Sequence, residues 1–282
     1  MNINWYPGHM KKSLDRIRES LKAVDIVCEI VDSRIPISSR NPVLNDIIGD
    51  FPRIILFNKT DMANPLQTKK WIEYFKSQNI EVIEFNALKD KKTGKLYSLA
   101  REILKDKFER DKERGIINDT IKMMVVGIPN VGKSTFINNI SKRKGTKVGN
   151  KPGVTKQNQW INTDSNLLLL DTPGVLWPKL DTPDGGKALA FTGAIKDETL
   201  NIEDLCFDFL NTIKQIYPKA LEERYGINAE EETVSIMDNI AYKTGSILRG
   251  REVDYFKVSN IIFDDFRKLR LGRITLETVD NI

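Results

Sequence analysis

Between Ile121 and Asn139 the chain reads IKMMVVGIPNVGKSTFINN. An apolar run, Met123 to Val126, meets Gly127-Ile-Pro-Asn-Val-Gly-Lys-Ser134, and helical apolar spacing follows through Phe136, Ile137 and Ile140. That is G-x-x-x-x-G-K-[ST] set between a strand and a helix, the context in which this pattern cradles phosphate. Gly127 and Gly132 let the backbone bend and approach an anion closely. The N–H groups of the loop, from Asn130 and Val131 on to Thr135, and the helix N-terminus then point at it. Lys133 sets a charge beside the β- and γ-phosphates, and Ser134 offers a hydroxyl to magnesium. The stretch implies binding of a nucleoside triphosphate.

A second motif selects the base. In Asn58-Lys59-Thr60-Asp61 the carboxylate of Asp61 can accept two hydrogen bonds from guanine, one from the ring N–H and one from the exocyclic amine. Adenine offers neither in that arrangement and would leave a desolvated charge unpaired, a penalty that can reach several kcal/mol. Asn58 can bridge the base edge and the phosphate loop, while the stem of Lys59 covers the base face. Such a tetrapeptide says little alone; beside a phosphate loop it points to guanine.

Asp171-Thr-Pro-Gly174 supplies the third set of groups. The aspartate suits magnesium through water, and the Gly174 N–H suits a γ-phosphate. In Lys151-Pro-Gly-Val-Thr155, Thr155 is the switch threonine expected to complete the magnesium shell; Thr163 competes but follows a stretch, Gln159 to Asn162, with the look of a strand. Ras-like proteins orient the attacking water with a glutamine just after D-x-x-G. Here Val175 and Leu176 stand there, and neither can hydrogen-bond water.

These motifs need a scaffold, and the pattern around them describes one. Short apolar runs end in polar motifs: Ile26–Val31 at Asp32-Ser-Arg34, Ile54–Phe57 at Asn58, Val82–Phe85 at Asn86-Ala87-Leu88, Met123–Val126 at Gly127, Leu167–Leu170 at Asp171. A helical pattern near 11–23 precedes the first run, and others near 66–78 and 96–110 lie between the runs. Buried strands alternating with helices predict a mostly parallel sheet with helices on both faces, and ligands in such sheets sit beyond the carboxyl ends of the strands. In Ras-like GTPases the phosphate loop precedes N-K-x-D; here it follows. The same sheet forms if the chain is circularly permuted, because strand adjacency does not depend on where the ends lie. We therefore expect a circularly permuted Ras-like P-loop GTPase domain over 1–178. After Trp177-Pro178 a loop from Asp181 to Gly186 leads into a tail where helices are predicted over Glu203–Tyr217, Val234–Thr244 and Asp254–Leu271, so 179–282 reads as a connection and a helical C-terminal domain.

At 282 residues the chain can bury a sizeable α/β core. The net charge of +5 leans toward a polyanionic partner. Cys28 lies in an apolar run and Cys206 beside Phe207, so both read as buried thiols. No signal peptide opens the sequence and no apolar stretch approaches ~20 residues, so a cytoplasmic location without membrane insertion is expected.

Trp5-Tyr-Pro-Gly-His-Met10, Asp32-Ser-Arg-Ile-Pro36, Asn58–Asp61, Gly127–Ser134, Asp171–Gly174, Thr192-Gly-Ala-Ile-Lys-Asp197, Asp264-Asp-Phe-Arg267 and Leu271-Gly-Arg273 together resemble the circularly permuted GTPase family called YlqF or RbgA. The resemblance runs from residue 3 to about 275. Tyr6 departs from an expected phenylalanine, and Asn86 from Ser or Thr; both keep the aromatic or polar character. The family implies a GTP/GDP switch that assists late assembly of the bacterial large ribosomal subunit, with a helical tail that binds rRNA and hydrolysis stimulated by the pre-ribosome. It carries Asn86 and Ala87 over as nucleotide contacts. Asn130 is similar to the asparagine of potassium-dependent GTPases, where the cation supplies charge in place of an arginine finger.

His9, the only histidine, has two readings: a group that swings to orient water, or a structural histidine capping the first helix. The resemblance favours the first. Lys142, Arg143, Lys144, Lys147, Lys151 and Lys156 fall within fifteen residues lacking any acid and border the switch, where rRNA phosphate is a plausible partner. In the tail, Phe256, Ile262, Phe263 and Phe266 read as core, and Arg249, Arg251, Arg267, Lys268, Arg270 and Arg273 as a basic face toward RNA. Two alternatives differ in class. A small-molecule kinase could use the same loop, but Asn58–Asp61 argues against it. A GTP-holding RNA-interaction or signalling module with little turnover fits Val175.

Overall fold

A computed structural model describes residues 8–86, 93–141, 159–176 and 183–281. In chain order the elements are α1 (Gly8–Ser20), β1 (Ile26–Asp32), α2 (Pro42–Ile48), β2 (Arg53–Asn58), α3 (Pro65–Ser77), β3 (Glu81–Glu84), α4 (Gly94–Ile103), α5 (Lys105–Glu113), β4 (Ile121–Val126), α6 (Lys133–Ile140), β5 (Gln159–Asn162), β6 (Leu167–Asp171), α7 (Pro183–Phe191), α8 (Ile202–Ile216), α9 (Pro218–Tyr225), α10 (Thr233–Thr244) and α11 (Tyr255–Arg267).

Every apolar run that ends in a motif is a strand. Among the described residues they form one sheet of order β3-β2-β1-β4-β6-β5. All pairings are parallel except β5 against β6. β1 is buried along its whole length, as a central parallel strand with both faces covered must be. Alternate residues go to opposite faces. Ile26, Cys28 and Ile30 join Ile54, Leu56, Met123 and Val125 in one core with α4 and α6. On the opposite face Val27, Met124 and Val126 pack on Leu14 and Ile17 of α1 and on Leu44 and Ile48 of α2. Val31, Ile55 and Phe57 meet Trp71 and Phe75 of α3.

The permuted order has a direct consequence for the tail. The first core continues without a break from the sheet into Leu189, Phe209, Ile240 and Phe263 of α7, α8, α10 and α11. The chain beyond α11 returns to the sheet domain: Ile274 N donates to Met62 O (3.2 Å), Leu276 N to Arg34 O (2.8 Å), and Trp71 Nε1 to Glu277 O (3.0 Å). The Glu277 carboxylate accepts from the N–H groups of Ile37 (2.7 Å) and Ser38 (3.0 Å), and burial raises its pKa.

Several expectations are corrected. The stretch read as a loop through Gly186 is helical from Pro183; proline suits a first helical turn, where its missing N–H would find no partner anyway. The pattern over 96–110 is two helices, broken at Leu104. Phe256 is not core but 62% exposed, whereas Ile262, Phe263 and Phe266 are buried as expected. Both cysteines are buried and free, and burial pushes each thiol up to about 12. Among the described residues no helix is long and apolar enough to cross a membrane.

Candidate guanine-nucleotide site

The carboxyl ends of β1, β2, β4 and β6 bring four motifs to one edge of the sheet. In the phosphate loop, Gly127 has φ +150°, and a Cβ there would meet Ile30 O at 2.7 Å. Gly132 has φ +103°, and a Cβ there would overlap Asn58 Nδ2. Both positions thus exclude a side chain by backbone conformation and by space. Helix α6 begins at Lys133 and its N-cap is Gly132, which has no side chain to cap it, so its first N–H groups are left for the loop mouth. Ser134 and Thr135 stand half-buried in its first turn.

Lys133 is 7% exposed and its Nζ donates to Gly127 O and Ile128 O, both at 3.1 Å. Burial lowers its pKa from 10.5 to about 8, opposed by the carboxylate of Asp171. Asp171 itself is 1% exposed, at the end of β6. Thr172 Oγ1 donates to Val125 O (2.7 Å), tying the segment after β6 to β4. A Cβ on Gly174 would lie 2.8 Å from Lys133 Nζ and 2.9 Å from Pro129 N, so this turn lies directly against the phosphate loop. Val175 and Leu176 are buried, and Val175 O accepts from Asn41 Nδ2 (3.0 Å). The residue after D-x-x-G is therefore packed into the core.

Asn58 does reach the phosphate loop: its Nδ2 donates to Val131 O at 2.8 Å. Lys59 has φ +60°, and its Nζ spans Asp32 Oδ2 and Asn130 O, each at 2.9 Å. Thr60 and Asp61 are half-buried, and Asp61 has no hydrogen-bond or ion-pair partner among the described residues. Asn86 follows β3 at the same edge. Ala87, Thr155 and the basic run Lys142–Lys156 lie outside the described residues, as does the side chain of His9, whose backbone belongs to the first turn of α1. Thr163 is committed elsewhere: it is buried, and its hydroxyl donates to Leu167 O (3.0 Å) within the β5–β6 hairpin.

The structure adds contacts that the motifs did not announce. Asn130 Nδ2 donates to Gly193 O at 2.7 Å. Gly193, with φ +77°, lies under the Arg267 guanidinium of α11. Arg267 donates to Phe191 O and Ala190 O (2.9 Å each) and pairs with both carboxylate oxygens of Asp197 (2.6 and 2.9 Å). It is thus an internal brace rather than part of a basic face. Arg270 pairs with buried Asp265 and Lys268 with Asp264, while Arg249, Arg251 and Arg273 remain exposed. The tail signatures Thr192–Asp197 and Asp264–Arg267 pointed at this brace only as members of a motif; nothing in their spacing revealed the contact.

Comparison with known proteins gives the arrangement a family. A family model described as a 50S ribosome-binding GTPase matches residues 122–239. A protein of Priestia megaterium named ribosome biogenesis GTPase A is 42% identical over 98% of this chain and 97% of its own length. The chain belongs to the ribosome biogenesis GTPase A family. The Bacillus pumilus member is 40% identical over 98% and 99% of the two chains. A mitochondrial ribosome-associated GTPase 1 of Xenopus tropicalis is 31% identical over 98% and 94%. A structure titled as GNP-bound YlqF from T. maritima shares the fold, with TM-score 0.66 and 24% identity over 95% of this chain and 98% of that one. The sheet, its permuted motif order and the helical region after it are those of a circularly permuted GTPase, and the enzyme hydrolyses GTP to GDP and phosphate. GTPases of this kind work with magnesium, and the groups present suit it: a serine hydroxyl at the head of α6 and a buried aspartate at the end of β6 are both oxygen donors.

Proposed function

We propose that this GTPase is a nucleotide-controlled assembly factor for the large ribosomal subunit, acting in the cytoplasm, with residues 1–178 as the GTPase domain and 179–282 as the part that meets rRNA. The observation that carries this reading is the direct bond from the phosphate loop to the tail segment, Asn130 Nδ2 to Gly193 O, with Arg267 of α11 seated on the same glycine. A change at the phosphates thereby has a short physical route into the helical region.

In this reading Asp61 holds the guanine edge, with Asn58, Lys59, Thr60, Asn86 and Ala87 around the base. Asn130 to Thr135 and the Gly174 N–H hold the phosphates. Ser134, Asp171 and Thr155 would hold magnesium, which offsets charge developing on the transferring phosphoryl group. Because the Asn130 amide nitrogen is taken by Gly193, its oxygen is the atom left to meet a potassium ion. Val175 and Leu176 are apolar and buried, which favours slow intrinsic turnover. We assign the orientation of water to His9, in the first turn of α1, acting when a particle is bound. In the tail, Arg249 and Arg251 with exposed Phe256 are suited to phosphate and base contact.

Co-sedimentation with immature large-subunit particles tests the proposal. Binding should be strong with a non-hydrolysable GTP analogue and weak with GDP. Equal binding in the two states would remove the switch, and binding to small-subunit particles alone would move the target.

A further inference from the structure

Asp32-Ser33-Arg34 ends β1 beside the base-recognition loop, and no nucleotide contact is assigned to it. All three residues are buried. Ser33 grips the neighbouring loop through Asn58 O, which accepts both its N–H (3.0 Å) and its hydroxyl (2.8 Å). Asp32 grips the next residue: its Oδ2 accepts from Lys59 Nζ at 2.9 Å. The same ammonium donates to Asn130 O in the phosphate loop, also at 2.9 Å. Lys59 is therefore stretched between the end of β1 and the phosphate loop, and in the base-site reading its stem covers the face of the base. A lysine stem has several rotatable bonds, and its position is fixed only if something holds the ammonium.

Asp32 is in turn held from behind. Arg34 donates Nε to Oδ1 (3.0 Å), Nη2 to Oδ2 (2.7 Å) and its own backbone N–H to Oδ1 (3.1 Å). The Arg34 guanidinium lies over the ring of Phe266, 5.3 Å from its centroid, and its carbonyl accepts from Leu276 N. Burial works to raise the pKa of Asp32, but the cations of Arg34 and Lys59 outweigh it and keep the carboxyl well below its ordinary range, hence ionised.

We propose that Asp32 is a positioning residue of the guanine site: it holds the Lys59 ammonium against the phosphate loop, so that Lys59 meets the base already in place. The proposal rests on the reading of Asn58–Asp61 as the base site. Pre-ordering of this kind removes an entropic cost of binding. Its loss acts through Lys59, not through contact between Asp32 and nucleotide.

A double-mutant cycle on the full chain separates that route from a structural one. The probe is a fluorescent GDP analogue, with thermal melting of each nucleotide-free protein measured alongside. Asp32→Asn should weaken GDP about tenfold, the scale of a hydrogen bond to a charged group. Lys59→Met should weaken it at least as much, and the double variant no further than Lys59→Met alone. Asp32→Asn binding within about twofold of the parent, or two losses that multiply in the double variant, would overturn the proposal while the base site stands. If Lys59→Met alone binds like the parent, the base-site reading falls and the proposal with it. Should Asp32→Asn fail to fold because Arg34 is left unpaired, Asp32→Leu with Arg34→Met replaces the buried pair by apolar groups, an exchange folds often accept. That variant removes the partner of Lys59 equally and must show the same loss, absent again in the Lys59→Met background.

Discussion

Lys133 gives the phosphate loop a pH dependence whose size can be worked out. Its ammonium is buried with two carbonyls, and its pKa is lowered to about 8. A bound polyphosphate favours the charged form and holds it protonated well above that pH. At pH 7.2 about six-sevenths of a group with that pKa is charged; at pH 8.7 only about one-sixth is. Nucleotide affinity should therefore fall about fivefold, ~1 kcal/mol, across that interval. The effect on stability has the opposite sign. Between about 8 and 10.5 the unfolded chain binds more protons than the folded one, so the nucleotide-free protein gains stability as pH rises, by roughly 3 kcal/mol over the whole window. The assay is titration of a fluorescent GDP analogue at the two pH values, with calorimetry in buffers of different ionisation heat to count the proton taken up. Lys133→Arg is the control, because a guanidinium stays charged throughout. The arginine variant should lose the slope whatever its absolute affinity, and any residual slope belongs to the guanine ring N–H. A parent protein whose affinity is flat between pH 7.2 and 8.7, or an arginine variant with the same slope, would refute the reasoning.

Two further expectations concern neighbouring groups. Asp61→Asn should weaken GTP by tenfold or more, on the scale of an unpaired buried donor, and favour xanthosine triphosphate, whose extra carbonyl replaces a donor by an acceptor; competition binding measures the exchange, and an unaltered protein that bound ATP and GTP equally would remove the base assignment. Basal hydrolysis should rise when potassium replaces sodium at matched ionic strength, and Asn130→Ala should flatten the difference; identical parent rates in the two salts would end the potassium assignment.

What could be read from the sequence follows from which physics is local. Strand identity was legible because a central parallel strand needs an uninterrupted apolar run, and Ile26–Val31, Ile54–Phe57 and Met123–Val126 supply it. The phosphate loop was legible because Gly127 and Gly132 are required by backbone geometry that only glycine meets easily. Helix α7 was not, because proline and two glycines mimic a loop while the first helical turn tolerates them. The role of Arg267 was hidden for a different reason. An arginine beside an apolar stripe reads as surface, and only the fold reveals that Asp197 and the carbonyl groups of Ala190 and Phe191 converge on it. Asp32 and Arg34 were visible as a motif at a strand end, yet their hold on Lys59 depends on β1 and β2 lying side by side. Phe256 followed the helical apolar pattern of α11 but sits in its first turn, where the partner helices no longer cover it.

The central claim is that this is a GTP switch set off by the assembling large subunit, with a water-orienting group that the residue after D-x-x-G cannot supply. Single-turnover GTP hydrolysis, measured with and without immature large-subunit particles in the parent and in His9→Ala, addresses it most directly. The parent alone should hydrolyse GTP slowly, the rate should rise at least tenfold with particles, and His9→Ala should lose ~10²-fold from the stimulated rate with GTP affinity unchanged. A parent rate that particles leave unaltered would contradict the switch, and stimulated hydrolysis in His9→Ala within about threefold of the parent would take the water-orienting role away from His9.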